Sequence, residues 1–375
     1  MAAASAVTDA WRSWNGPARL HGVDLARAIA VLGMLAAHLL TIEDGIVLSD
    51  PSTWIDLVNG RSSILFAVLA GVSIALMTGG TTPHRGARLR ISRRRLAVRA
   101  AALWLIGLIL IQTGVPVYVI LPAYGILFLL ALPLLALSVP ALWAIAASVA
   151  LVVPWVLPFL EVLPIWDGVA GEALFLATGW AYPFPLWIAF VLAGMALGRT
   201  DIRRASAQVT MLGAGIALVV VAGMASTVAG AAGAPPSDSY LGIVLSTEAH
   251  SGGLLEVVSS GGFAVAVLGA CLLLCRTPLT WVVLPLRAVG SMPLTAYVGQ
   301  ILVWAVAALA LIGDTSDLWA FRDLQPFWWF ALGAILFCTA WATTIGQGPL
   351  ERGLAALARR LVPAEPAPVA GRVYR

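Results

Sequence analysis

The sequence predicts an all-α polytopic membrane protein, with about ten transmembrane helices in one bundle and both termini cytoplasmic. Three observations carry that expectation. Apolar runs of spanning length recur along the chain, and about 20 helical residues cross a hydrocarbon core. Only 11% of the 375 residues are charged and 61% are hydrophobic, for a mean hydropathy of +0.95; a soluble domain carries about a quarter charged residues. The charges are also sorted, with arginines and acids gathered in alternate connections.

Runs bounded by charges or Pro/Gly clusters place the spans at 23–42, 61–80, 96–114, 117–137, 141–159, 183–199, 207–231, 254–275, 289–313 and 327–346. Residues 1–22 are polar, so the first span is expected to act as a retained signal anchor and not a cleaved leader. The connection 81–95, Thr-Thr-Pro-His-Arg-Gly-Ala-Arg-Leu-Arg-Ile-Ser-Arg-Arg-Arg, holds no acid and is cytoplasmic by the positive-inside rule. Alternation from there puts Arg199, Arg203, Arg204, Arg276, Arg287, Arg352, Arg359 and Arg360 inside. It leaves Glu43, Asp44, Asp50, Glu161, Asp167, Glu172, Asp238, Glu248, Asp314, Asp317 and Asp323 outside. Two outer segments, 159–182 and 232–253, are long enough to do more than turn around, and the first has room for a short interfacial helix. The expected organisation is a cytoplasmic segment over 1–22, one membrane domain over 23–353 and a cytoplasmic tail over 354–375. That tail ends in a Pro/Ala-rich stretch expected to be disordered.

All 22 basic residues are arginine, a bias of GC-rich bacterial genomes, so a bacterial cell membrane is the expected location. The net charge of +4 reflects arginines on one membrane face and does not imply nucleic acid. Cys271, Cys275 and Cys338 lie in apolar runs with no completing ligands, so core packing is expected and no metal.

The most informative chemistry lies in the first span. Arg27 and His38 are eleven residues apart, and eleven steps of roughly 100° return a helix to nearly the same bearing. They therefore share a face about 16 Å apart along the axis. Ionisable groups within a span are costly and seldom kept without a use. His38 suits a general base near neutral pH, with a helix–helix hydrogen bond as the bland alternative. Asp24, three residues before Arg27, reads as a structural ion-pair partner at the helix entrance.

Arg88, Arg90, Arg93, Arg94, Arg95 and Arg99 offer guanidinium forks to the phosphates of a cytoplasmic nucleotide-like donor. They equally serve as a topology signal that touches anionic lipid. Arg99 lies one turn inside its span and needs a partner there. On the other side, Asp56, Asn59 and Arg61 are candidates for binding a polar acceptor, while Trp54 either stacks on a sugar or anchors the interface. Glu248 and His250 are placed to assist His38 if their loop folds inward, and are otherwise solvated. Tyr124, Glu256, Thr295, Tyr297 and Gln300 are polar groups inside later spans that need partners in a bundle.

Arg27-x10-His38 in a first span resembles the pattern of bacterial membrane acyltransferases that O-acylate surface glycans. The surrounding Arg-Leu-His-Gly-Val-Asp-Leu-Ala-Arg-Ala-Ile-Ala-Val-Leu-Gly-Met is closer to the YeiB-type family, which is related to the catalytic domain of heparan-α-glucosaminide N-acetyltransferase. Residues 59–73, Asn-Gly-Arg-Ser-Ser-Ile-Leu-Phe-Ala-Val-Leu-Ala-Gly-Val-Ser, resemble its second span. Gly290-Ser-Met-Pro-Leu-Thr-Ala-Tyr-Val-Gly-Gln and Gln347-Gly-Pro-Leu-Glu-Arg resemble its two C-terminal signatures. The resemblance runs from about residue 19 to about 353.

It implies acyl-CoA, above all acetyl-CoA, as cytoplasmic co-substrate and a glycan or other envelope acceptor across the membrane. Arg27 and His38 are the residues that carry over as catalytic. The heparan enzyme resembles this chain with an asparagine at the His38 position and its histidine in the following outer loop. The loop 43–58 has none here, so shared chemistry requires His38 as base. Membrane lipids and a second copy of the chain are the other partners this class admits. The rival readings are a transporter or flippase, for which paired broken helices would be the mark, and a non-catalytic partner in envelope assembly.

Overall fold

The computed structural model describes residues 11–12, 14–42, 49–231, 233 and 235–363. Glu43, Asp44 and residues 364–375 of the tail lie outside the described residues. The regular structure of the described residues is all helical, with no strand among them. Its helices are α1 His21–Leu39, α2 Arg61–Met77, α3 Gly86–Ile111, α4 Leu121–Ala131, α5 Val139–Glu161, α6 Gly168–Thr178, α7 Phe184–Gly198 and α8 Ala205–Ala231. There follow α9 Tyr240–Val244, α10 Leu254–Leu274, α11 Leu279–Val282, α12 Leu284–Ser291, α13 Pro293–Leu311, α14 Leu318–Asp323, α15 Phe327–Thr344 and α16 Pro349–Leu361.

Among the described residues, 7 helices are long and apolar enough to cross a membrane. They are α1, α2 with its 3-10 lead-in, α5, α8, α10, α13 and α15. Three of the ten expected spans differ, for local reasons. The basic stretch read as a connection over 81–95 becomes helical at Gly86, so α3 carries its arginines in its own first turns. The run 117–137 gives only a short helix, because Pro133 lacks the N–H of a regular turn and Leu132–Ala136 tightens to 3-10. The run 183–199 starts with a proline in its first turn and yields 15 residues. The segment 159–182 does hold a short helix, α6.

Burial sorts the spans into layers. Of the spanning windows, 72% of α1 and 67% of α2 is buried in protein, against 22% of α5 and 17% of α8 and α15. The outer helices expose Val152, Phe159, Val221, Met224, Trp328 and Trp329. A helix that is apolar all round must find lipid or core on every side. The chain is thus a multi-pass membrane protein whose centre is built on α1, with α2, α10 and α12 packed against it.

Buried arginines tie helix ends together. Arg199 donates to the carbonyls of Thr78, Gly80 and Leu135 and to the Thr78 hydroxyl. Arg287 donates to the Thr280 carbonyl and hydroxyl at 2.9 Å and to Asn15. These contacts satisfy the orphan carbonyls of helix C-termini.

The two C-terminal signatures meet each other. Glu351 Oε1 accepts from the Leu294 and Thr295 amides, and its Oε2 from the Thr295 hydroxyl at 2.6 Å. A carboxylate at the start of α13 satisfies orphan amides and suits the helix dipole. Gly290 lies against the Asp24 carbonyl, where an added Cβ would sit 1.6 Å from that oxygen, so α12 crosses α1 only with glycine there.

Candidate functional site

The polar groups collect at the two ends of α1. At its C-terminal end, Arg322 of α14 donates from Nε to the His38 carbonyl at 2.8 Å and from Nη2 to the Ala37 carbonyl at 3.4 Å. These are last-turn carbonyls that α1 itself leaves unpaired. The guanidinium also lies over Trp319 at 5.3 Å. The half-buried His38 imidazole makes no hydrogen bond to a described residue, and it lies close enough to His250 and Arg322 to feel their charges.

His250 is brought there by its loop. Its amide donates to Glu256 Oε1 at 2.8 Å, and the Gly252 amide to Glu256 Oε2 at 2.7 Å. Tyr182 packs edge-on to the His250 ring, centroids 6.1 Å apart. Gly60, with φ +66°, holds its Cα beside Ala249, where a Cβ would sit 3.0 Å from the alanine methyl. Protein surrounding His250 lowers its imidazole pKa below the ordinary value, yet the side chain keeps solvent access. Such a group is neutral at pH 7 and open to a ligand.

The neighbouring candidates lie near this end of α1 with different roles. Arg61 donates to the Asp56 carbonyl at 3.1 Å and is close enough to Glu256 to act on its charge. The Asn59 amide reaches Asp56 Oδ1 at 3.5 Å. Trp54 is 47% exposed on the 3-10 turn before α2. The Glu248 side chain is exposed, and its carbonyl accepts from the Ser251 hydroxyl at 2.8 Å.

At the N-terminal end of α1, Arg27 donates to Asp24 Oδ1 at 3.1 Å and to the Ser73 hydroxyl at 2.7 Å. Asp24 also takes both nitrogens of an Arg19 fork, which the i,i+3 spacing alone did not indicate. These groups floor a cleft of about 700 Å³ walled by Gly79, Gly80 and Arg203.

The six arginines of α3 divide by helical bearing. Arg88, Arg95 and Arg99 line a cleft of about 350 Å³ with His84 and Ser92, since steps of three, four and seven residues keep to one helix face. His84 Nδ1 and the Ser92 hydroxyl are 2.8 Å apart. Arg99 meets the Met77 sulfur at 2.6 Å and Arg95 the Val362 carbonyl at 3.0 Å. Arg93 turns away and donates to the Leu132 and Pro133 carbonyls, with Arg94 beside it. Arg90 is exposed on the surface.

Sequence reasoning did not single out Arg322, Ser73, Arg19 or Tyr182. Arg322 carried a signal, as the one arginine among the acids Asp314, Asp317 and Asp323 of its expected outer connection. Ser73 closes the stretch resembling the family's second span. Cys271, Cys275 and Cys338 are free thiols, and among the described residues no group of three or more His, Cys, Asp or Glu is placed to hold a metal.

Residues 19–227 match the family model described as heparan-alpha-glucosaminide N-acetyltransferase, catalytic. Residues 197–361 match a second, described as a protein of unknown function (DUF418). No curated protein matches the chain.

Proposed function

Because the chain belongs to the heparan-α-glucosaminide N-acetyltransferase catalytic family, we propose that it moves an acyl group, acetyl by family, from cytoplasmic acyl-CoA to a hydroxyl or amine beyond the membrane. One observation supports this reading most: His38 and His250, near enough to feel each other's charge at one end of α1, have imidazoles with no hydrogen bond to a described residue, while the guanidinium clefts lie at the other. In this reading 23–353 is one acyltransferase domain in a bacterial cell membrane, with ten crossings once α3, α4 and α7 are counted. The Arg27 end faces the cytoplasm and the His38 end faces the acceptor, a glycan or other envelope molecule.

The chemistry follows from those positions. Arg88, Arg95 and Arg99 grip the phosphates of the donor, and its pantetheine arm runs along α1 past Arg27. Neutral His38 takes the proton of the acceptor hydroxyl or amine as its lone pair attacks the thioester carbonyl. The tetrahedral intermediate collapses with loss of the C–S bond, and the imidazolium returns its proton to the leaving CoA thiolate. His250 orients the acceptor beside it.

Purified protein given acetyl-CoA, longer acyl-CoAs and a panel of glycan acceptors is expected to release CoA thiol only when an acceptor is present. Acceptor-independent release, or none with any pair, counts against the reading. A cysteine at Asp238 should react with an impermeant reagent on intact cells and one at Arg88 should not; the opposite pattern reverses the orientation.

A further inference from the structure

Glu256 is buried to 4% exposure in the first turn of α10, whose N-cap is Gly253. A glutamate three residues into a helix ordinarily reaches back to its own N-cap amide. Here it does not. The Gly253 amide is taken by the Ser251 hydroxyl at 3.2 Å. The carboxylate reaches beyond the cap to the amides of Gly252 and His250, with the Ser251 hydroxyl at 3.3 Å. It is therefore spent on the loop and not on the helix.

The loop conformation needs such a hold. His250 has φ 65°, a left-handed conformation that a side chain with a Cβ disfavours. Only Gln325 shares it among the described non-glycine residues. Strain of this kind persists where surrounding contacts over-determine it. Two charge-assisted bonds from one carboxylate do so, and burial makes each stronger than it would be in water. The result sets the His250 ring against Tyr182 and near enough to His38 for the two imidazoles to feel each other's charge.

We propose that Glu256 is a positioning residue that fixes the 246–253 loop and holds His250 near the His38 end of α1. The catalytic part of this inference rests on the acyltransferase reading; the positional part does not. The test uses the full-length protein in lipid nanodiscs and the variant Glu256→Gln, with hydrogen exchange followed by mass spectrometry. Glutamine keeps the shape but loses the charge and one of two acceptor oxygens. Exchange at the amides of His250 and Gly252 should rise roughly tenfold or more, with α1 and the rest of α10 unchanged. Transfer should fall roughly 10- to 100-fold in kcat with the KM for acyl-CoA unmoved. The double variant Glu256→Gln/His250→Ala should be no slower than His250→Ala alone.

Unchanged exchange at 250–252 would overturn the positional role, as would a loss that adds to that of His250→Ala. Raised exchange in the variant, with no turnover by the wild type, supports the positioning and removes the acyltransferase reading. Should Glu256→Gln not fold, Glu256→Asp keeps the charge one methylene short and is expected to give the same changes at smaller size.

Discussion

The two ends of α1 treat their charged groups differently. At the Arg27 end Asp24 lies between two arginines and Arg27 also holds Ser73, although the buried Nε2 of His21 has no partner among the described residues. At the His38 end the bonds go to backbone, from Arg322 to carbonyls and from amides to Glu256, and both imidazoles are left without a hydrogen bond to a described residue. A paired charge stabilises structure and is poorly available for chemistry. An imidazole whose backbone is fixed and whose ring is free is what proton transfer requires.

That contrast can be broken most severely at His38. His38→Ala and His38→Asn are each expected to lower acyl transfer by roughly 10²- to 10⁴-fold, with thermal unfolding in detergent close to wild type. An amide fills the space but takes no proton at neutral pH. Near-normal turnover in a folded His38→Ala protein would place the chemistry elsewhere.

The other end should answer in stability. Asp24→Asn leaves two guanidiniums beside a neutral group, and breaking a buried ion pair costs about 3 kcal/mol. A marked fall in the unfolding midpoint is expected, against little change for Asp201→Asn in the exposed pair with Arg204. Equal midpoints would show that the Asp24 pairs carry no structural weight.

A smaller effect separates the faces of α3. Neutralising Arg88 and Arg95 should raise the KM for acyl-CoA roughly tenfold per residue with kcat nearly held, since phosphate grip is uniform binding. Neutralising Arg93 and Arg94 should move it less, because Arg93 is committed to the Leu132 and Pro133 carbonyls. The reverse order would exchange the two faces.

The smallest expected effect is on pH dependence. The lowered His250 pKa means that the unfolded chain, near its ordinary value of about 6.5, binds more protons than the folded one just below that pH. Stability from the neutral imidazole is therefore present above about 6.5 and lost as pH falls through the folded value. Between pH 8 and pH 5 the unfolding midpoint of His250→Ala should fall less than that of the wild type; parallel curves would remove His250 as the cause.

Much of this was legible in the residues. The membrane class, the central span with Arg27 and His38, and the need of Asp24 for Arg27 follow from hydropathy, a 3.6-residue period and i,i+3 spacing. The C-terminal signatures could be seen but not explained. Glu351 reaches back 56 residues to cap α13, and nothing in either stretch alone shows the other beside it. The shortened α4 and α7 show a similar limit, since prolines were visible while the end of each helix depended on what its freed carbonyls could find.

Local periodicity and charge asymmetry by themselves determined that this is a helical membrane protein with one ionisable face on its first helix, because both are short-range properties of the chain. Tertiary structure decided which of those groups remain free to react. Partnering is a long-range matter: Arg322 lies 284 residues from the carbonyl it holds, and His250 comes within electrostatic reach of His38 through a loop fold that no sequence spacing encodes.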